Sequence, residues 1–182
     1  MDVKEAIESR RARRSLVPVS IDRETIEDLA RCASLSASCY NKQPWRYEFV
    51  AGGEKLEDMF DTLAKGNEWA KKASMIIAVH SKVEDDCLVA GREYYLFDTG
   101  MATAHLILRA VELGLVAHPI AGFDEEKVKA ALGLGGEETV ITLIIVGKLA
   151  DKIDPELTSW QKEAEEERPE RLPLEKFARI FD

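Results

Sequence analysis

The sequence predicts an α+β fold in a single domain spanning residues 1–182. Three observations carry that prediction. Residues 74–80 (Ser-Met-Ile-Ile-Ala-Val-His) and 139–146 (Thr-Val-Ile-Thr-Leu-Ile-Ile-Val) are continuous apolar runs, the pattern of strands buried on both faces. The β-branched density of the second marks a central position in the sheet. Between them, residues 94–113 read as the longest helix, with Gly114 as its C′ residue. That helix is apolar nearly all round, from Leu96 and Phe97 through Met101, Leu106, Ile107 and Leu108 to Leu113, so it must be covered on several sides. A chain of 182 residues can bury a sizeable core, but it leaves little material for that covering, which implies a partner subunit.

The remaining elements follow in order. Asp2 is placed to cap a helix over residues 2–14 whose apolar stripe is Val3, Ala6 and Ile7. Residues 15–20 are an extended link, since Pro18 stops any helix. Asp22 caps a second helix with Ile26, Leu29, Ala30 and Ala33 inward. Residues 47–51 alternate as a strand and are followed by the Gly52-Gly53 turn. Residues 54–63 form a helix with Leu56, Met59, Phe60 and Leu63 inward, and 67–72 a short helical piece. Residues 115–120 are a short strand, and 125–132 a helix closed by Gly133. From Lys148 the chain turns polar, and the acidic run Glu163–Glu167 reads as a solvated segment. Residues 171–177 regain apolar anchors without a core of their own, so they pack on something else.

Composition narrows the classes. A net charge of -9 disfavours a nucleic-acid partner. No apolar run approaches the length of a membrane span and the N-terminus has no signal core, so a cytoplasmic protein is expected. Three cysteines without a C-x-x-C favour a reducing compartment and no disulfide framework. His80, His105 and His118 lack metal-ligand spacing, so no metal is expected. No G-x-G-x-x-G follows a strand, so no stable dinucleotide-binding unit is expected.

Two stretches carry the chemistry. Arg10 and Arg14 are four apart and share a face if the helix runs through them. Paired guanidiniums repel unless an anion lies between them, and arginine suits bidentate phosphate binding. In Ser38-Cys-Tyr-Asn-Lys-Gln-Pro-Trp45, Asn41 and Gln43 offer amide donors and acceptors suited to a flat heteroaromatic ligand.

On these residues the chain resembles the nitroreductase family of FMN-dependent oxidoreductases. Arg10-Arg11-Ala12-Arg13-Arg14 is similar to that family's Arg-Arg-Ser-x-Arg helix end, and residues 37–45 to its Pro-Ser-x-x-Asn-x-Gln-Pro-Trp. Gly114-Leu115 and Pro119–Asp124 match its later Gly-Leu and Pro-x-x-Gly-Phe-Asp segments. Ala12 and Ala37 stand where Ser and Pro are usual. The likeness spans residues 3 to about 177.

The resemblance implies a mostly antiparallel sheet of four to five strands flanked by helices. It also implies an interlocked homodimer in which residues 151–182 pack on the partner subunit. It implies FMN as cofactor, with Arg10, Arg14 and Arg171 at the phosphate and ribityl chain, Arg11 at the N1–C2 edge of the ring, and Ala12 in backbone contact. Ser38, Cys39 and Asn41 would reach the flavin of the other subunit, while Gln43 stabilises the loop and Trp45 is core. Asn67 and Lys71 (or Lys72) would meet the pyrimidine edge. Pro119, Ile120, Ala121 and Gly122 form the segment whose backbone N–H, at Ala121, faces flavin N5. Arg13 would point to solvent. No side chain is assigned an acid–base role. The implied activity is ping-pong hydride transfer from NAD(P)H, a transient co-substrate, to an electron-poor small molecule such as a nitroaromatic or quinone. A flavin-dependent dehalogenase, an enone reductase or a non-catalytic flavin-binding protein are the alternatives on the same scaffold.

Overall fold

The structure, a computed structural model, describes residues 1–181. Helix α1 (Val3–Ser9) starts with a capping box. Asp2 accepts from the Glu5 N–H at 2.8 Å, and the Glu5 carboxylate accepts from the Asp2 N–H at 2.8 Å. It ends at Ser9, five residues short of the expected boundary, and Arg10–Arg14 are not helical. The reason lies in the competition for backbone groups. Continuing the helix would pair the Glu8 and Arg10 carbonyls with the N–H groups of residues 12 and 14. The Arg168 guanidinium instead donates to both carbonyls, and the Arg14 N–H donates to the Glu165 carboxylate. Arg10 and Arg14 therefore do not share a helical face.

The extended link contains β1 (Leu16–Val17). Helix α2 (Arg23–Ser34) is capped by Asp22, which accepts from the Thr25 N–H at 2.8 Å. Then come β2 (Arg46–Val50), α3 (Gly53–Phe60), a short 3-10 turn at Glu68–Lys72, and β3 (Met75–Ser81), buried along its whole length. A small hairpin of β4 (Leu88–Val89) and β5 (Arg92–Glu93) precedes α4 (Tyr95–Glu112). Next are β6 (Val116–Ile120), α5 (Glu125–Leu132) and β7 (Thr139–Leu149). Gly133 closes α5 in the left-handed region at φ 70°, where a side chain would be strained. Helix α6 (Ser159–Glu166) lies in the stretch that reads as polar tail, capped by Thr158 with Gln161.

Among the described residues the main sheet has five strands, all paired antiparallel. β7 bonds to β1, β3 and β6, and β2 lies on the far side of β3. Alternation along β3 and β7 sends side chains to two cores. Met75, Ile77, Val79, Ile144 and Val146 meet α2 and α4 through Leu29, Ala33, Ala102, Leu106 and Ala110. Ile76, Ala78, Leu143 and Ile145 meet α3 and α5 through Leu56, Met59, Phe60 and Val128. Trp45 belongs to the first core, as expected. The sheet is thus covered by helices on both faces, in keeping with the α+β expectation.

Two expectations change. Cys39 and Cys87 form a disulfide across 48 residues with Cα atoms 6.0 Å apart, against the expectation of no such bridge. Their partnership depends on the tertiary approach of the loop after α2 to the connector before α4, which sequence spacing does not reveal. The tail also divides in two. Asp154, Leu157, Gln161 and Glu165 are buried against their own chain, with Gln161 Nε2 donating to the Gly66 carbonyl at 3.0 Å. Leu172, Leu174 and Phe177 remain exposed, as do Leu96 and Phe97 of α4.

The two-sided burial of β7 gives a graded stability test. Ile145→Ala, in the core, is expected to cost about 2–5 kcal/mol, whereas Leu149→Ala, at the exposed strand end, should cost less than about 1 kcal/mol. Chemical denaturation monitored by circular dichroism reads both.

Candidate functional site

Residues 10–14 and 160–171 face each other across a cleft of about 900 Å³. Arg10, Arg11, Ala12 and Arg14 line one wall, Pro119 at the end of the sheet lines the floor, and Trp160, Arg168 and Arg171 line the other wall with Glu163, Glu166, Glu167 and Glu170. The walls are stitched together by the backbone. Arg11 donates to the Ala164 carbonyl at 2.7 Å, and Arg168 to the Arg10 carbonyl at 2.9 Å. Arg13, expected in solvent, instead donates to the Glu165 carbonyl and pairs with its carboxylate at 3.5 Å. Glu165, within the run that reads as solvated, is buried at 4 % exposure beneath these contacts.

The cations that face the cleft are poorly compensated. Burial first, then repulsion from Arg168 and Arg171, holds the Arg10 guanidinium below its ordinary pKa. Burial likewise lowers Arg14, with Glu165 opposing. Arg14 lies over the Trp160 ring at 4.8 Å and the Trp69 ring at 5.8 Å. Trp69 in turn stacks on His118 at 4.8 Å. His118 Nδ1 donates to the Arg13 carbonyl at 2.9 Å, which keeps the neutral ring in one tautomer. Burial, and then the charges of Arg14 and Arg10, push its pKa down to about 4. Guanidiniums gathered at half-buried positions around a concave, aromatic-edged space can bind a phosphate-bearing planar ligand.

Of the residues singled out in the sequence, Arg10, Arg11, Ala12, Arg14, Pro119 and Arg171 converge on this cleft. Ser38, Cys39 and Asn41 lie apart, in the loop between α2 and β2. There Ser38 Oγ accepts from the Gln43 N–H at 3.0 Å and Gln43 Nε2 donates to the Asn41 carbonyl at 3.2 Å. The Asn67 side chain is committed within the chain, donating to the Gly122 carbonyl at 2.9 Å and accepting from Trp69 at 3.3 Å. Lys72 is engaged by Asp154 and Glu156, whereas Lys71 is exposed. Ile120 is buried in the ladder with β7, and Ala121 is exposed beyond it. A Cβ on Gly122 would sit 2.4 Å from Asn67 Nδ2, so this glycine accommodates the Asn67 amide. Arg168 and Trp160 complete the cleft. Trp160 stands out only as a large apolar side chain in a polar stretch, and Arg168 carries no signal beyond its charge.

The fold and this cleft define an α+β protein with an arginine-lined cleft between its N-terminal segment and its C-terminal helix. The model of the nitroreductase family matches residues 7–68 and 51–148. An uncharacterised 15.4 kDa protein of Mycolicibacterium smegmatis is 35% identical over 132 residues, covering 70% of this chain and 86% of that one. The provisionally named NAD(P)H nitroreductase YdgI of Bacillus subtilis is 26% identical over 188 residues, covering 83% and 90%. Among solved structures, an oxidoreductase described as containing FMN superposes with a TM-score of 0.84 at 25% identity, covering 98% of this chain and 91% of that one. A nitroreductase family protein of Clostridium novyi NT does so at 0.76 and 27%, covering 83% and 87%. The chain belongs to the nitroreductase family.

The buried imidazole makes a pH test. Below about pH 6.5 the unfolded chain takes up a proton at His118 that the folded protein refuses until about pH 4. Stability therefore falls as the pH drops through that window and levels off below it, by about 3 kcal/mol from this group. His118→Gln should lack this dependence, so the unfolding free energy of wild type minus variant should fall by about 3 kcal/mol as the pH drops through the window.

Proposed function

We propose that the protein is an FMN-dependent NAD(P)H oxidoreductase acting on an electron-poor small molecule, with the flavin held at a homodimer interface. The observation that carries the reading is the Arg10 guanidinium, repelled by Arg168 and Arg171, beside a cleft wide enough for a mononucleotide. An anion of about two charges relieves that repulsion. The FMN-containing relative and the NAD(P)H nitroreductase name of another support the choice of cofactor and reductant. Bound FMN supplies two-electron hydride chemistry between the reduced nicotinamide and the acceptor.

The chain's own residues bind and orient. Arg10, Arg168 and Arg171 take the phosphate, and Pro119 with the following backbone bounds the ring side. The donation of Arg11 to the Ala164 carbonyl fixes α6 against the N-terminal segment and shapes the cleft. A second subunit would bring Ser38, Cys39 and Asn41 to the ring. In this reading it would also cover the apolar surface left exposed by Leu96, Phe97, Leu172, Leu174 and Phe177.

FMN-loaded protein is expected to oxidise NADH or NADPH in the presence of a nitroaromatic or quinone, and failure with every such acceptor would reduce the reading to flavin binding. Arg10→Ala and Arg171→Ala should each weaken FMN binding by about 1.5–3 kcal/mol and leave riboflavin, which lacks the phosphate, nearly unaffected. Equal losses for both flavins would remove the phosphate assignment. Sedimentation equilibrium of the flavin-loaded protein should return twice the chain mass; a monomer that still holds flavin would dismiss the interface.

A further inference from the structure

A second chemical cluster lies outside the cleft. The sulfurs of Cys39 and Cys87 and a carboxylate oxygen of Asp86 all lie within 4.8 Å of one another. Asp86 Oδ1 accepts from the Cys87 N–H at 2.7 Å, but its Oδ2 is buried with no hydrogen-bond partner. Asp98, on α4 and only 2 % exposed, accepts from the Cys39 N–H at 2.6 Å and stands beside Asp86. Two neighbouring carboxylates thus stand at the two sulfurs, and the Asp86 oxygen that lacks a fixed donor can share a proton with Asp98. Burying such an oxygen is costly unless a proton or cation meets it.

We propose that the Cys39–Cys87 pair, once reduced, binds a thiophilic divalent cation, Zn²⁺ above all, with Asp86 as the third protein ligand. Reduction takes two electrons from small thiols, which leave as their disulfide, and the cystine becomes two protein thiols. Metal entry then displaces one proton from each, forming two Zn–S bonds and releasing two protons. Tetrahedral thiolates at about 2.3 Å from zinc stand roughly 3.8 Å apart, inside the span of the cluster once the S–S bond opens. The mixed sulfur and carboxylate donor set suits zinc and not a hard cation such as magnesium. Water completes the coordination. Asp98 is a positioning residue, holding the Cys39 backbone in place.

The site joins the loop after α2 to the connector before α4. Tyr40, Asn41 and Gln43 all lie at positive φ, an unfavourable run for residues other than glycine, and the Asp86–Ala90 connector includes a fourth such residue, Ala90. Oxidised, the disulfide staples the loop to the connector; reduced, the metal would hold the same two ends. The proposal stands whether or not the cleft binds a flavin.

The test uses tag-free full-length protein. Thiol counting after denaturation should give one free thiol, Cys32, in the oxidised form and three after dithiothreitol. With the reductant removed under argon, Co²⁺ should give a sulfur-to-metal charge-transfer band saturating at one equivalent per chain, and Zn²⁺ should abolish it. The oxidised protein should give none. Asp86→Asn should weaken Zn²⁺ at least ten-fold and Cys87→Ser abolish the band, while Cys32→Ser leaves both unchanged. If reduction loosens the fold, Zn²⁺ should restore the melting temperature. A reduced protein that binds neither ion, a band that survives Cys87→Ser or disappears with Cys32→Ser, a disulfide that dithiothreitol leaves intact in the folded protein, or a lost fold that Zn²⁺ does not restore would each overturn the proposal.

Discussion

The pairing of β3 with β7 is the constraint on which the rest depends. All seven residues of β3 and the stretch of β7 from Leu143 to Gly147 are withdrawn from water, and their alternation feeds two separate cores at once. A register slip of one residue would exchange those cores, so the ladder Ile77 to Ile144 admits no alternative. β7 also carries β1 and β6, which deliver the two ends of the cleft. β1 follows directly from Arg10–Arg14, and β6 brings His118 and Pro119 to the same end of the sheet. The position of the arginines is set by a strand that none of them belongs to.

The cleft itself is an electrostatic compromise. Cations are drawn together by backbone carbonyls and one buried carboxylate, Glu165, which receives Arg13 and the Arg14 amide. What Glu165 neutralises on one side it leaves exposed on the other, where Arg10, Arg168 and Arg171 confront each other. His118 stays neutral beneath them because burial and two nearby guanidiniums both disfavour its charge. The Trp69 and Trp160 rings offer Arg14 a face to rest on without cancelling its charge.

Much of this was legible in the residues. Continuous apolar runs located β3 and β7, and the Asp22 and Gly133 caps located helix ends, because these signals act locally. The arginine cluster and Pro119 were legible through motif resemblance. What escaped the sequence was set by partners far along the chain. α1 ends at Ser9 because Arg168 and Glu165 take the backbone groups a longer helix needs. Glu165 looks like one more residue of an acidic run until α6 turns it inward. The Cys39–Cys87 bridge spans 48 residues, and nothing in its spacing distinguishes either cysteine from Cys32.

The bond from Arg11 to the Ala164 carbonyl closes a separation of 153 residues. During synthesis, residues 10–14 leave the ribosome long before 159–171 exist. At ordinary elongation speeds of about 5–20 residues per second, the delay is roughly 10–30 s. Throughout that interval one wall of the cleft has no counterpart, and its arginines are open to any polyanion nearby, including ribosomal RNA. The site is therefore assembled only once α6 has been made, and a nascent chain stalled before α6 would expose a basic segment that the folded protein turns inward.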